Sequence, residues 1–202
     1  MTLTGIDRTT CRLAIAVGAA AIAADAAYLA FSAVGEPFGS INDVGNAITA
    51  VLAGWLAWTL RSRTGTPAAG LALTGAAIGV GGSWMVLSGT SGWLLAAFVS
   101  GVGFALVGPS VIIASRSLAA DRLVSRRLSR VGQATGWIML AGILGIVPAL
   151  LRYDNPDTAP GWAWIPFLGW VSTFVLFPAW ALWLGRQRSA SPATATAVPS
   201  RA

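Results

Sequence analysis

The sequence predicts an all-α fold, a polytopic bundle of six transmembrane helices with both termini in the cytoplasm. Three observations predict it. Hydrophobic residues make up 55% of the 202 and charged residues only 10%, far below the roughly 25% charge of a soluble domain. Six apolar stretches of about 20 residues recur along the chain, the length that crosses a ~30 Å hydrocarbon core at about 1.5 Å per residue. Arginine supplies all the cationic side chains, since there is no Lys and no His, and it gathers in alternate connections.

The first stretch, Leu13–Val34, follows Arg8 and Arg12. It is too long for a secretory signal, and no clear small-residue cleavage site precedes a soluble domain, so it is expected to be a permanent span. The second, Gly39–Leu60, ends with Trp55 and Trp58. The third and fourth, Ala68–Gly89 and Gly92–Ser115, are glycine-rich. Gly75-x-x-x-Gly79 predicts close helix packing, and Gly108-Pro109-Ser110 predicts a kink or break in span four. The fifth and sixth are Gly132–Leu151 and Trp162–Gly185. In the sixth, Trp162 and Trp164 are expected at the outer interface and Trp180 and Trp183 at the inner one, as aromatic belts. Trp170 falls mid-span, where it packs on a neighbour or lines a cavity. Spans two and six echo each other, "PFG…AGWLAWTLRSR" against "PFLG…PAWALWLGRQR". Two helices that both run inward obey the same end rules, and a duplicated hairpin gives the same echo. Residues 1–188 thus form the transmembrane domain. The small, polar tail "SASPATATAVPSRA", residues 189–202, is expected to be a disordered cytoplasmic segment.

Orientation follows from the arginines. Arg8, Arg12, Arg61, Arg63, Arg116, Arg122, Arg126, Arg127, Arg130, Arg186, Arg188 and Arg201 all fall in connections on one side, whereas the other side has only Arg152, against Glu36, Asp154 and Asp157. The positive-inside rule places the arginine side in the cytoplasm. The net charge of +6 is therefore a topology signal rather than a nucleic-acid footprint. In "SRSLAADRLVSRRLSR", Arg122, Arg126 and Arg130 recur every fourth residue beside an apolar strip of Val124, Leu128 and Val131. That pattern predicts a short interfacial helix, with Arg127 too, on anionic lipid headgroups. A docking surface for a cytoplasmic partner is the alternative.

Polar residues inside the spans are the candidates for function. Asp25 lies near the middle of span one, where a carboxylate costs about 2.5–3.5 kcal/mol on insertion scales. It is expected to face the bundle, either as a proton relay or cation-binding group or as a neutral acid bonding across helices. Tyr28 and Ser32 share its stripe at i+3 and i+7. In span two, Ser40-Ile41-Asn42-Asp43 has the form of a capping box, with Ser40 as cap and Asp43 reaching back. Asn46 is too deep to cap. Counted from the outer helix ends, Asp25, Asn46 and Thr49 reach similar depths on antiparallel neighbours. Asp25, Tyr28, Asn42, Asn46 and Thr49 are therefore expected to form one polar cluster opening outward, as a binding site or as interhelical glue.

The stretch "FGSINDVGN" resembles the "FG-x-[IL]-N-D-x-x-N" stretch of uncharacterised six-span bacterial integral membrane proteins. The resemblance covers mainly spans one and two and implies no activity.

Absences narrow the chemistry. With no His and a single Cys, Cys11, neither a histidine- or cysteine-based metal site nor a Ser–His dyad is expected. Without Lys there is no Schiff base. No catalytic residue, cofactor or metal is assigned. The leading function is a small permease, channel or solute-binding membrane protein. An intramembrane enzyme with an Asp acid acting on a lipid-soluble substrate is the second, and a membrane scaffold or accessory subunit the third. A water-lined path, an apolar cavity around Asp25, or a filled core would respectively favour each. Neither substrate nor oligomeric state is encoded in a motif.

Overall fold

The computed structural model describes residues 6–187; the tail from Ser189 onward lies outside the described residues. Every element among the described residues is helical. Five helices are long and apolar enough to cross a membrane: Arg8–Val34, Thr66–Leu87, Trp93–Ala120, Arg126–Leu150 and Gly161–Gly185. A sixth, Phe38–Thr59, has 22 residues, about 33 Å at the helical rise, but Ser40, Asn42, Asp43 and Asn46 make its first half polar.

The elements, in order, are α1 (Arg8–Val34), α2 (Phe38–Thr59), the single turn α3 (Arg61–Thr64), α4 (Thr66–Leu87) and α5 (Trp93–Ala120). The next span is α6 (Arg126–Leu140), a 3₁₀ stretch (Ala141–Gly145) and α7 (Ile146–Leu150). The last is a 3₁₀ stretch (Gly161–Phe167), α8 (Leu168–Val171), a π turn (Ser172–Leu176) and α9 (Phe177–Gly185). α1 packs on α2, α2 on α4, α4 on α5 and α5 on α6, and α9 touches both α6 and α1. The spans form a ring in chain order. The connections make neighbours antiparallel, so one end of the ring carries the arginine-rich turns and the other carries Glu36, Arg152, Asp154 and Asp157.

Proline explains the irregular turns. Pro148 has no N–H for the Leu144 carbonyl, and the 3₁₀ stretch lies just ahead of it. Pro178 leaves the Phe174 carbonyl without its usual donor, and the π turn spans that residue. Pro109 behaves differently: α5 runs through it without interruption from Trp93 to Ala120, correcting the expected break. Neighbouring helices hold that region, for Ser110 Oγ donates to the Ala68 carbonyl at 2.6 Å, and a methyl at Gly108 would sit 2.6 Å from the Gly136 carbonyl oxygen.

Glycine sets how close the helices come. A Cβ on Gly103 of α5 would lie 2.5 Å from the Gly79 nitrogen and 2.6 Å from the Gly75 oxygen of α4. The two backbones therefore touch directly, as Gly75-x-x-x-Gly79 predicts. Serine hydroxyls add bonds between spans. Ser129 donates to the Ser115 carbonyl at 2.8 Å and Ser172 to that of Thr135 at 2.7 Å.

Toward the arginine end the ring is filled. Leu56, Leu60, Val111, Leu118, Phe177 and Trp180 belong to one buried cluster. Trp180 is only 2% exposed and stacks on Phe177 at 6.0 Å. It is a core residue, which corrects its expected place in an interfacial belt, whereas Trp183 remains exposed. The arginine loop also differs from expectation. Arg122 sits in a turn with φ +57°, and Ser125 caps α6 by accepting from the Leu128 N–H at 3.2 Å. Arg126, Arg127 and Arg130 are thus the opening turns of span five rather than a separate interfacial helix. Leu128, the middle of the apolar strip, is buried in the core, and that burial draws the segment into the bundle. Arg63 pairs with Asp121 at this same end.

Candidate functional site: a cavity at the acidic end

Toward the acidic end the ring is not filled. It encloses a cavity of about 360 Å³ whose lining includes Glu36, Gly39 and Trp93 at the helix ends. α2 supplies its polar wall. Asn42, Asp43 and Asn46, at i, i+1 and i+4, share one face of that helix, and all three line the cavity. Asn46 Nδ2 donates to Asn42 Oδ1 at 3.3 Å, leaving the Asn46 carbonyl oxygen and the Asn42 amide nitrogen free for another partner. Among the described residues no donor bonds to Asp43 and no cation pairs with it.

The start of α2 is held otherwise than by a Ser40 cap. The helix begins at Phe38, with Pro37 at its N-cap position. Ser40 therefore lies inside the first turn and acts as a donor. Its N–H and hydroxyl both reach Glu36 Oε2, at 3.3 and 3.2 Å. Glu36 does the capping, and Asp43 is left to face the cavity. At the same end of the ring, Asp154 caps α5, accepting from the Gly92 N–H at 2.6 Å and the Leu95 N–H at 3.3 Å.

The remaining walls are aromatic or small. α1 contributes Tyr28, Phe31 and Ser32; α4 contributes Ser83 and Val86; α5 contributes Trp93, Ala97 and Ser100. Trp170 and Phe174 come from the irregular part of span six, one on α8 and one within the π turn, and meet edge to face at 5.1 Å. Phe174 also stacks on Tyr28 at 6.3 Å. Beneath the cavity a space of about 20 Å³ continues past Asn46 toward Phe104 and Thr173, enough for one water. Below that, the packed core closes the path.

Of the five residues expected to cluster, the structure brings together Tyr28, Asn42 and Asn46. Thr49 is buried and spends its hydroxyl on the Gly45 carbonyl of its own helix at 2.8 Å. Asp25 lies outside the lining. The residue facing α2 there is Ala24, whose Cβ would be 2.8 Å from a methyl on Gly45. Asp25 Oδ1 is buried and has no hydrogen-bond partner among the described residues. Sequence reasoning did not foresee Trp93, Ser100 and Phe174 in the site. Only the mid-span position of Trp170 carried a signal.

No protein-family model matches the chain, and no curated protein or solved structure resembles it at a significant level.

Proposed function

We propose that the chain is a six-span protein of the cell membrane, with both termini and the arginine end in the cytoplasm, that binds a small solute in the cavity at its outer end, as a permease, channel or solute-binding protein. Five spans are apolar enough to cross unaided. The sixth, α2, is long enough and carries Asn42, Asp43 and Asn46 on the cavity side, where they escape lipid. The arginine asymmetry supports the orientation. Exposed Arg122, Arg126, Arg127 and Arg130 would then meet anionic headgroups of the inner leaflet.

The observation that carries the solute reading is the cavity itself. It has free amide and carboxylate groups on one side and aromatic walls on the others, the composition of a small-molecule site. A scaffold would have no use for this unfilled space. The enzyme reading would need its acid inside the cavity, and Asp25 is outside the lining, so that reading rests on Asp43 alone.

The test is a thermal-shift panel on the detergent-purified protein, using small cationic, neutral and anionic solutes. Ala97 lines the cavity, and Ala97→Trp plugs it. At least one class of solute is expected to raise the melting temperature of the wild type and not that of Ala97→Trp. No response from any class, or responses that survive the plug, would overturn the reading.

A further inference from the structure

We propose that the solute is a small organic cation, one positive charge carried on an apolar or aromatic body. This rests on the cavity being a solute site and adds the class of solute.

Charge decides the sign. Among the described residues, the lining includes Glu36 and Asp43 and no arginine. The carboxylates around the mouth are not equivalent. Glu36 accepts both donors of Ser40, and Asp154 is spent on the α5 N-terminus. Of these three, Asp43 alone has neither a donor nor a cation among the described residues, and it lines the cavity. An anion would meet two carboxylates with nothing to offset them. A neutral solute would strip water from Asp43 without replacing it, which costs free energy.

The aromatic walls decide the body. Trp170, Phe174, Tyr28 and Trp93 surround the cavity, and ring faces attract alkylammonium groups and stabilise them once desolvated. A bare metal ion gains nothing from such walls, and the described residues hold no group of three or more His, Cys, Asp or Glu side chains that could ligate one. The amides of Asn42 and Asn46 supply oxygen acceptors for any N–H of the cation. A volume of about 360 Å³ is near the lower bound for small-molecule sites and sets the size.

The experiment uses the full chain in nanodiscs and three probes of similar size: benzyltrimethylammonium, N,N-dimethylbenzamide and benzenesulfonate. Binding is followed by calorimetry and by tryptophan fluorescence. The cation is expected to bind at least about tenfold more tightly than the amide, and the sulfonate not at all. Asp43→Asn should weaken the cation about tenfold and bind the amide at least as tightly as the wild type does, because the desolvation cost of the carboxylate is gone; an unchanged circular dichroism spectrum shows that this variant is folded. Trp170→Leu should weaken the cation too, and Ala97→Trp should abolish its binding. If the amide or the sulfonate binds as tightly as the cation, and the plug removes it, the cation proposal is overturned while the solute site stands. If the cation does not bind, the proposal is overturned whatever the others do. If no probe binds and the thermal-shift panel is silent, the solute site falls with it.

Discussion

Glycine-to-alanine substitution should have opposite signs on two faces of the same helix pair. Alanine is favoured over glycine inside a helix by about 0.5–1 kcal/mol. At Gly81 of α4 a new Cβ meets nothing within 4 Å, so Gly81→Ala is expected to stabilise by up to about 1 kcal/mol. At Gly103 the same methyl would lie 2.5 Å from the Gly79 nitrogen, 2.6 Å from the Gly75 oxygen and 2.9 Å from the Gly79 Cα. All three are backbone atoms, and no rotamer change moves them away. Restoring ordinary contact needs the helices to part by about 1 Å, and a gap of that size forfeits a quarter to a half of each neighbouring van der Waals contact. Overpacking of this kind costs about 1–3 kcal/mol, which outweighs the propensity gain. It would also strain the Ser100 hydroxyl contact with the Gly79 carbonyl, already 3.4 Å. The assay is reversible unfolding in mixed micelles with a rising SDS fraction, followed by circular dichroism. Gly103→Ala is expected below the wild type and Gly81→Ala at or above it. A Gly103→Ala variant as stable as the wild type would refute the backbone contact between α4 and α5.

Three further outcomes are expected. Burial works against ionisation of Asp7, but bonds from the Thr10 hydroxyl and from backbone N–H groups outweigh it and hold the carboxyl below its ordinary 3.8. A depressed folded value means that the cap stabilises fully above about pH 4 and fades as pH falls through that value. Asp7→Ala should therefore cost about 1 kcal/mol near neutral pH, and its gap from the wild type should narrow as the pH falls below 3.8 in thermal melts; a gap that does not narrow in acid would contradict the cap. In a Cys11→Ser background, Thr158→Cys should react with an impermeant thiol reagent from outside and Ser125→Cys should not; the reverse labelling would invert the proposed topology. Asp25→Leu removes a buried oxygen that has no partner, so it should melt no lower than the wild type or Asp25→Asn, and a clear loss would reveal a polar partner for Asp25.

Along each helix axis the sequence is readable, because depth is arithmetic. The residue of α1 that meets Gly45 of α2 is Ala24, next to Asp25, so the depth expected for Asp25 against α2 holds. Around the axis it is not readable. α1 is apolar on nearly every side, so its pattern does not say which face turns to α2, and the rotation that puts Ala24 there carries Asp25 past the cavity. The same blindness hid Phe174 and Ser100, which reach the site from spans remote in sequence. Local signals also compete. The S-x-x-D pattern of Ser40 and Asp43 is a genuine cap signature, but Pro37 starts the helix earlier and Glu36 takes the role. The arginine loop failed for a related reason, since burial of Leu128 and the Ser125 cap extend span five toward Arg126.

A ring whose members touch in chain order has a consequence for its biogenesis. Each new span can settle on the one made just before it, so five of the six joints form between sequence neighbours. The last joint has no such help. α1 must wait, one flank unpartnered, until α9 arrives. Their contact joins Cys11 Sγ to the Gln187 carbonyl across 176 positions, with Leu182 lying where a Gly18 side chain would go and the Cys11 carbonyl 2.7 Å from a Gly185 methyl position. Contacts between distant segments cost more chain entropy to close than local ones, so this joint is expected to form slowest. Until that clasp shuts, the flank of α1 stays uncovered apolar surface, and uncovered apolar surface is what makes incompletely folded chains prone to aggregate.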